Sequence, residues 1–126
     1  MASRYWRVLI GRNNGDSFKS IGEIELRESE GGADATGSGT ASASSSFSGS
    51  FNADKVFDNS NSTWWSSTNG ASFPQWVKYD FGAGNEKDIV ELALTSLNNA
   101  DQAQSPRDYS LQFSASDRDW ETSAIS

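Results

Sequence analysis

The feature that most constrains the fold of this chain is a set of short runs in which apolar and polar residues alternate with a period of two. The clearest run is 75–81 (QWVKYDF), which a Gly-Ala-Gly-Asn turn follows. Segment 20–27 (SIGEIELR) alternates in the same way, with Ile24 and Leu26 on one face and Glu23, Glu25 and Arg27 on the other. A period of two predicts strands with one buried face. No apolar stripe of helical period is longer than two turns, so the sequence predicts an all-β fold.

Further strands are predicted at 5–10 (YWRVLI), 89–95 and 109–114, with polar turn segments between them. Val56 and Phe57 are candidate core residues before a polar loop at 58–63. Several short strands separated by turn residues favour an antiparallel sandwich or barrel.

Segment 31–50 is rich in Gly, Ser, Ala and Thr and has two interpretations. It is either a flexible linker or contains a strand at 40–44, where small apolar and hydroxyl residues alternate.

The amino-acid composition excludes several classes of function for this chain. The 126 residues predict one domain, and the chain contains neither cysteine nor histidine, which excludes disulfides, zinc hydrolase sites and catalytic triads that need histidine. The net charge of −7 and the scattered basic residues argue against nucleic-acid binding. No apolar run approaches the length of about 20 residues that a membrane-spanning helix needs, so no membrane insertion is expected.

Several motifs resemble the discoidin, or coagulation factor 5/8 type C, domain. They are ASASS at 41–45, KVFDN at 55–59, STWWSS at 62–67, PQWVKYDFG at 74–82, SPRDYSLQFS at 105–114 and Trp120. The resemblance implies an antiparallel jelly-roll β-sandwich of the galactose-binding-like type. It also implies a non-catalytic module, because many members of that family bind carbohydrate.

The order of the pieces differs from that family. Segments 5–10 and 20–26 resemble the last two strands of the usual domain, yet here they come first. Either the domain is circularly permuted, or the tail of one module precedes an incomplete second one; permutation is simpler because each strand occurs once. We therefore expect one domain, 1–126, with 1–30 matching the usual C-terminal end, 31–40 as a joining loop and 41–126 as the main sandwich. The last strand of the family is expected to be missing, which implies a longer protein or an edge that another chain completes.

Permuted discoidin-like domains that open with Tyr-Trp-Arg and Glu-Ile-Glu-Leu resemble those of bacteriophage virion proteins such as tail fibres and capsid appendages. The resemblance implies a module of a virion or extracellular assembly that binds cell-surface glycans through multivalent loop-tip contacts. The alternative is a structural capsid decoration or tail protein without a sugar ligand. Both imply other virion proteins as partners and a homo-oligomer. A carboxylate-pair hydrolase is disfavoured, because most of the acidic residues lie on turns or on solvent faces.

The resemblance also implies a structural calcium ion. Its ligands would be the carbonyls of Lys55, Ser60 and Thr63, the Thr63 hydroxyl, and the carboxylates of Asp58 and Glu23. Oxygen ligands of this kind suit calcium. In the alternative interpretation, Asp58 and Thr63 only satisfy donors within a turn and Glu23 is solvated.

The ligand-binding loops of the family correspond to 46–52, 66–73 and 97–105. Sugar recognition needs aromatic rings and a few polar anchors. The candidate rings are Phe47, Phe51 and Phe73, and the candidate anchors are Asn69, Asn98, Asn99, Asp101 and Gln102. In the alternative interpretation, Phe51 and Phe73 pack beneath the loops and the Asn and Ser residues only form turns. A packing role is predicted for Trp6, Trp65, Trp76 and Trp120.

Overall fold

The computed structural model describes residues 2–13, 15–60, 62–97 and 104–124. Its regular structure is mostly antiparallel β, with short 3-10 helices at Gly49–Phe51 and Ala53–Val56. The strands are β1 (Tyr5–Asn13), β2 (Ser20–Ile21), β3 (Glu23–Arg27), β4 (Thr40–Ala43), β5 (Trp65–Ser66), β6 (Gln75–Asp80), β7 (Glu91–Thr95), β8 (Pro106–Ser114) and β9 (Glu121–Thr122). Within these described ranges, no helix is both long and apolar enough to cross a membrane.

The larger sheet has five strands in the order β4-β6-β1-β8-β9. Its central strand is β1, in which Val8 is the antiparallel partner of Val77 on one side and of Leu111 on the other. The opposite layer contains two shorter antiparallel pairs, β2 with β5 and β3 with β7. The segment that precedes β4 is therefore an integral part of the sandwich.

The core lies between the two layers, because alternate residues of a strand point to the same side. Its most deeply buried members, all at most 3% exposed, are Trp6, Val8, Ile10, Val77, Tyr79 and Leu111 from the larger sheet and Ile21, Ile24, Leu26 and Trp65 from the opposite layer. Val56 and Phe57 join the same cluster, as predicted. The prediction of an all-β antiparallel sandwich is confirmed.

The strands predicted from the alternating runs are confirmed, with one interruption at Gly22 and one residue, Glu23, whose burial differs from the prediction. In β6, the odd-numbered residues are buried and the even-numbered ones are half-exposed. Segment 20–27 is divided at Gly22, whose N–H donates to the Thr95 carbonyl at 2.9 Å and where a Cβ atom would lie 2.7 Å from the Ser96 carbonyl oxygen. Glu23 is the exception: its side chain is buried, although the alternation places it on the polar face.

Segment 31–50 is held to the sandwich by specific hydrogen bonds. Ala35 N–H donates to the Leu26 carbonyl at 2.8 Å. The hydroxyl of Tyr79 accepts hydrogen bonds from the N–H groups of Gly37 and Gly39, at 2.7 and 2.6 Å. Of the two interpretations of this segment, the strand is confirmed for Thr40–Ala43.

The four tryptophans predicted to pack divide into two pairs. Trp6 and Trp65 are fully buried, so their packing role is confirmed. Trp76 and Trp120 are half-buried and pack against cations: the Lys78 ammonium lies 5.1 Å from the Trp76 ring centre. The Arg7 guanidinium lies 4.1 Å from the Trp120 ring centre. These distances are in the range of cation–π contacts.

Candidate functional site

Four aromatic rings line a pocket formed by the loops. Phe18 comes from the β1–β2 loop, Phe47 follows β4, Phe51 ends the first 3-10 helix and Trp64 precedes β5. Successive ring centres lie 5.3, 5.7 and 5.5 Å apart in that order, within the range of aromatic contacts. The pocket has a volume of about 150 Å³. Phe47, in the middle of the row, is 53% exposed, so the row presents apolar surface to solvent.

Ser66 and Gln104 supply the polar part of this pocket. The Ser20 hydroxyl donates to Gln104 Oε1 at 2.6 Å and lies 2.6 Å from the Ser66 hydroxyl. Since a hydroxyl has one proton, Ser66 is the donor to Ser20. Gln104 Nε2 then remains as a donor with no partner among the described residues. The described residues that line the pocket are all uncharged.

Phe73 and Asn69 lie in a separate patch of the loops. Phe73 is 40% exposed, and the ammonium of the buried Lys19 lies 4.7 Å from its ring centre. That ammonium also donates to the Ser17 carbonyl at 3.0 Å. The Ser17 hydroxyl donates to Asn69 Oδ1 at 2.6 Å. Neither Phe73 nor Asn69 lines the aromatic pocket.

The structure thus brings together only part of the predicted ligand set. Phe47 and Phe51 meet in the aromatic pocket, whereas Phe73 lies against Lys19 and Asn69 accepts a hydrogen bond from Ser17. Four further candidates lie outside the described residues: Asn98, Asn99, Asp101 and Gln102.

The sequence pattern did not predict that Phe18, Trp64 and Gln104 line this pocket. A signal existed for Trp64, because adjacent side chains in extended chain point to opposite sides. With Trp65 buried in the core, Trp64 has to point outward. Phe18 lies in a polar loop about 30 residues before Phe47, and no local pattern connects the two.

The predicted calcium residues form one connected loop. Asp58 Oδ1 accepts a hydrogen bond from Ser60 N–H at 3.1 Å, and Asp58 Oδ2 accepts one from the Thr63 hydroxyl. The Thr63 hydroxyl also lies 3.4 Å from the Lys55 carbonyl oxygen. Asn59, which stands where the resemblance would have glycine, has a φ of 56°. Asparagine tolerates this left-handed conformation better than most residues, so the loop keeps its shape.

Glu23 faces this loop from β3 and is not solvated, contrary to the turn interpretation. Its side chain is 6% exposed, and its Oε2 accepts a hydrogen bond from Asn59 N–H at 2.9 Å. Its Oε1 is buried and has no hydrogen-bond partner among the described residues. Burial raises the pKa of Glu23 to about 8, although the Asn59 N–H acts in the opposite direction; the nearby Asp58 carboxylate raises it further. The buried carboxylate therefore lacks a positive partner.

The chemistry of these donors fits a hard cation. The Asp58 carboxylate bonds to the Thr63 hydroxyl, which lies near the Lys55 carbonyl oxygen, and the Glu23 carboxyl reaches the same loop at Asn59. Calcium prefers oxygen ligands of this mixed kind. Over the described part of the chain, no group of three or more acidic, histidine or cysteine side chains is placed to hold a metal. A cation at this loop would therefore take most of its ligands from carbonyl and hydroxyl oxygens.

An antiparallel sandwich that carries an uncharged aromatic pocket on its loops defines a β-sandwich binding module. A family model described as the F5/8 type C domain matches residues 40–125. Because this match covers more than half of the chain, the protein belongs to the F5/8 type C, or discoidin, domain family. Domains of this family are carbohydrate- and surface-binding modules and are generally non-catalytic. The comparison with curated proteins found no significant match.

Proposed function

We propose that this chain is a non-catalytic carbohydrate-binding module that holds one sugar unit in the pocket of Phe18, Phe47, Phe51 and Trp64. The exposed ring of Phe47 carries the proposal. Folding usually buries large aromatic side chains, and a 53% exposed ring in the middle of a row of four is a ready contact surface. Aromatic rings bind sugars by stacking against the C–H groups of the sugar ring.

The remaining features of the pocket favour a neutral, terminal sugar. The described lining residues carry no charge, so an acidic sugar would gain no ion pair. The Gln104 Nε2 donor and the Ser66 hydroxyl are placed to bond sugar hydroxyls. A volume of about 150 Å³ is below the roughly 300 Å³ at which pockets for drug-sized ligands begin, which suits a single sugar unit.

Weak single contacts of this kind gain strength when several copies bind at once. We therefore extend the proposal to multivalent binding of cell-surface glycans by an assembly that carries several copies of the module. Its location on a virion or another extracellular assembly rests on the resemblance alone and stays a prediction. The same holds for other virion proteins as partners.

A structural calcium ion is the second part of the proposal. Glu23, Asp58 and Thr63, with the carbonyls of Lys55 and Ser60, would hold it. When bound, the ion neutralises the buried carboxylate of Glu23 and cross-links β3 to the loop after the second 3-10 helix. The unpartnered Glu23 Oε1 supports this part of the proposal.

A third part concerns chain order: we propose that the domain is circularly permuted. The family match begins at residue 40, while β1 lies before it and nevertheless forms the centre of the larger sheet. A rearranged chain that begins at Thr40 and carries 1–39 after residue 126, through a short Gly-Ser linker, should therefore fold with the same cooperative melt. A rearranged chain that does not unfold cooperatively would contradict the permutation.

The sugar pocket is tested by NMR titration of the protein with a panel of neutral monosaccharides at millimolar concentrations. Binding should shift the side-chain amide signal of Gln104 and the indole N–H signal of Trp64. Phe47→Ala should abolish these shifts. Phe73→Ala is the matched control, because it removes another exposed phenylalanine ring that does not line the pocket, and it should leave the shifts unchanged. A panel without any shift in the pocket signals would refute the proposal and favour a structural protein without a sugar ligand.

A further inference from the structure

The β4 strand leaves one edge of the larger sheet open. Among the strands of the described residues it pairs with β6 alone, and Ser44 N–H donates to the Trp76 carbonyl at 2.9 Å. On the other side of β6, the N–H of Phe81, just after that strand, donates to the carbonyl of Arg4, just before β1, at 3.0 Å. Even-numbered residues of β6 therefore bond to β4, and odd-numbered residues bond to β1.

The same alternation fixes the direction of the backbone groups in β4. Thr40 and Ser42 lie opposite even-numbered residues of β6, so their N–H and C=O groups face β6. The N–H and C=O groups of Ala41 and Ala43 then point away from the sheet, toward the open edge. A groove of about 380 Å³ runs along this edge, between residues 39–43 and residues 52–54.

This edge lacks the usual protection against pairing with another strand. Exposed edges commonly carry charged side chains, proline or a bulge that discourages a second strand. No charged residue and no proline occurs from 35 to 53, although the whole chain has a net charge of −7. Among the described residues, the one charged residue that lines the groove is Asp54, whose carboxylate lies 3.4 Å from the Lys55 ammonium. At the opposite edge of the sheet, β9 has only two residues, of which one is Glu121. The β4 strand itself thus brings no charge to the approach of a second copy of this acidic chain.

The sequence of β4 is also symmetric about Ser42. Ala41 and Ala43 flank it, and the hydroxyl residues Thr40 and Ser44 follow on either side. An antiparallel pair of identical strands needs this kind of self-complementarity, because every position meets its own mirror position in the second copy. With the axis at Ser42, Ala41 of one copy lies opposite Ala43 of the other, and these are the two residues with outward backbone groups.

We infer that β4 pairs with β4 of a second copy of this chain, antiparallel and across a two-fold axis at Ser42. Roughly four main-chain hydrogen bonds join the two five-stranded sheets into one continuous sheet. Small hydroxyl side chains meet on the outer face and alanine methyl groups on the inner face, so the side chains of the two β4 strands do not clash with one another. The inference rests on the sheet edge and is independent of the proposed sugar pocket.

Charge placed at the axis tests the symmetry directly. Ser42→Lys and Ser42→Glu each put like charges opposite one another, so each variant alone should be monomeric in sedimentation equilibrium at concentrations up to about 1 mM. An equimolar mixture of the two should dimerise again, because Lys then faces Glu. The unmodified chain should dimerise, as should the controls Ser110→Lys and Ser110→Glu, which alter the interior strand β8 of the same sheet.

An unmodified chain that stays monomeric at about 1 mM would overturn the inference. Dimers that persist in both Ser42 variants, or a mixture that stays monomeric, would also overturn it. Circular dichroism melts verify that each variant is folded. If a charged variant does not fold, Ala43→Pro replaces it: proline removes the outward N–H and spares the bonds to β6, so this variant should be monomeric, and a dimer would refute the pairing.

Discussion

Glu23 Oε2 accepts a hydrogen bond from the backbone N–H of Asn59 at 2.9 Å, while Glu23 Oε1 is buried without a partner among the described residues. The bond connects β3 to a loop that lies 36 residues further along the chain. Burying a carboxylate oxygen without a partner costs free energy. A cation held between Glu23 and Asp58 would remove this cost, so Glu23 is the most direct test of the calcium proposal.

Calcium is expected to raise the melting temperature of the chain, and Glu23→Gln should abolish that response. A ligand present at about 100 times its dissociation constant stabilises the folded state by about 2.7 kcal/mol, which corresponds to a rise of several degrees. In EDTA at neutral pH, the variant should be about as stable as the unmodified chain, because glutamine keeps the shape and, like the Glu23 carboxyl with its raised pKa, is uncharged there. Thermal melts in EDTA and in calcium measure both effects.

Glu25→Gln is the matched control for this experiment. Glu25 lies on the same strand, but its carboxylate pairs with Arg27 at 2.9 Å and does not face the loop. This variant should keep the full calcium response. An unmodified chain whose melting temperature is the same in EDTA and in calcium would contradict the calcium site.

Trp64 and Trp65 are adjacent in sequence and should respond oppositely to substitution by alanine. Trp65 is fully buried and its Nε1–H donates to the Ser45 carbonyl at 2.8 Å, so Trp65→Ala should cost about 3–5 kcal/mol of unfolding free energy. Trp64→Ala should cost much less, because its ring is half-buried, but it should weaken sugar binding. Urea unfolding and the NMR titration separate the two effects, and equal stability losses would contradict this division.

The Arg4–Asp80 ion pair should make the fold sensitive to acid. Two hydrogen bonds from Arg4, at 2.8 and 3.0 Å, lower the pKa of Asp80, and the Gly82 N–H lowers it further. A lowered folded-state pKa stabilises the fold above the ordinary aspartate value of 3.8, and this stabilisation is lost as the pH falls through the lowered value. Asp80→Asn should cost about 1 kcal/mol at neutral pH, with the difference shrinking below about pH 4.

Melts from pH 2 to pH 8 measure this dependence. Asp108→Asn is the control, because its pair with Arg12 is more than half exposed on both sides and should contribute little at any pH. A difference between Asp80→Asn and the unmodified chain that stays constant down to pH 2 would show that the ion pair is not its origin.

The Tyr79 hydroxyl should be required for the path of the segment before β4. It accepts hydrogen bonds from the N–H groups of both Gly37 and Gly39, so Tyr79→Phe leaves two donors unpaired and should cost about 1–3 kcal/mol. Hydrogen exchange of these two amides should accelerate in the variant. Tyr109→Phe, which alters an exposed tyrosine, should change neither stability nor exchange. Unchanged protection of Gly37 and Gly39 in Tyr79→Phe would refute this role.

Much of the fold was predictable, because the alternation of apolar and polar residues over a few positions predicts which face of a strand is buried. In β6, the period of two alone predicts that Val77 and Tyr79 point into the core. The motifs around Asp58 and Trp65 were likewise sufficient to indicate the family. Glu23 was not predictable from β3 itself, because the loop that buries it lies far along the chain.

The sequence by itself determined the strands, most of their inward faces and the family to which the chain belongs. These properties depend on residue order over a few positions. Only the tertiary structure decided that Phe18 and Trp64 join Phe47 and Phe51, that Phe73 lies apart over Lys19, and that β4 has an open edge. The physical reason is that strand order, with β1 between β6 and β8, determines which loops converge, and long-range pairing leaves no periodic signal in the chain.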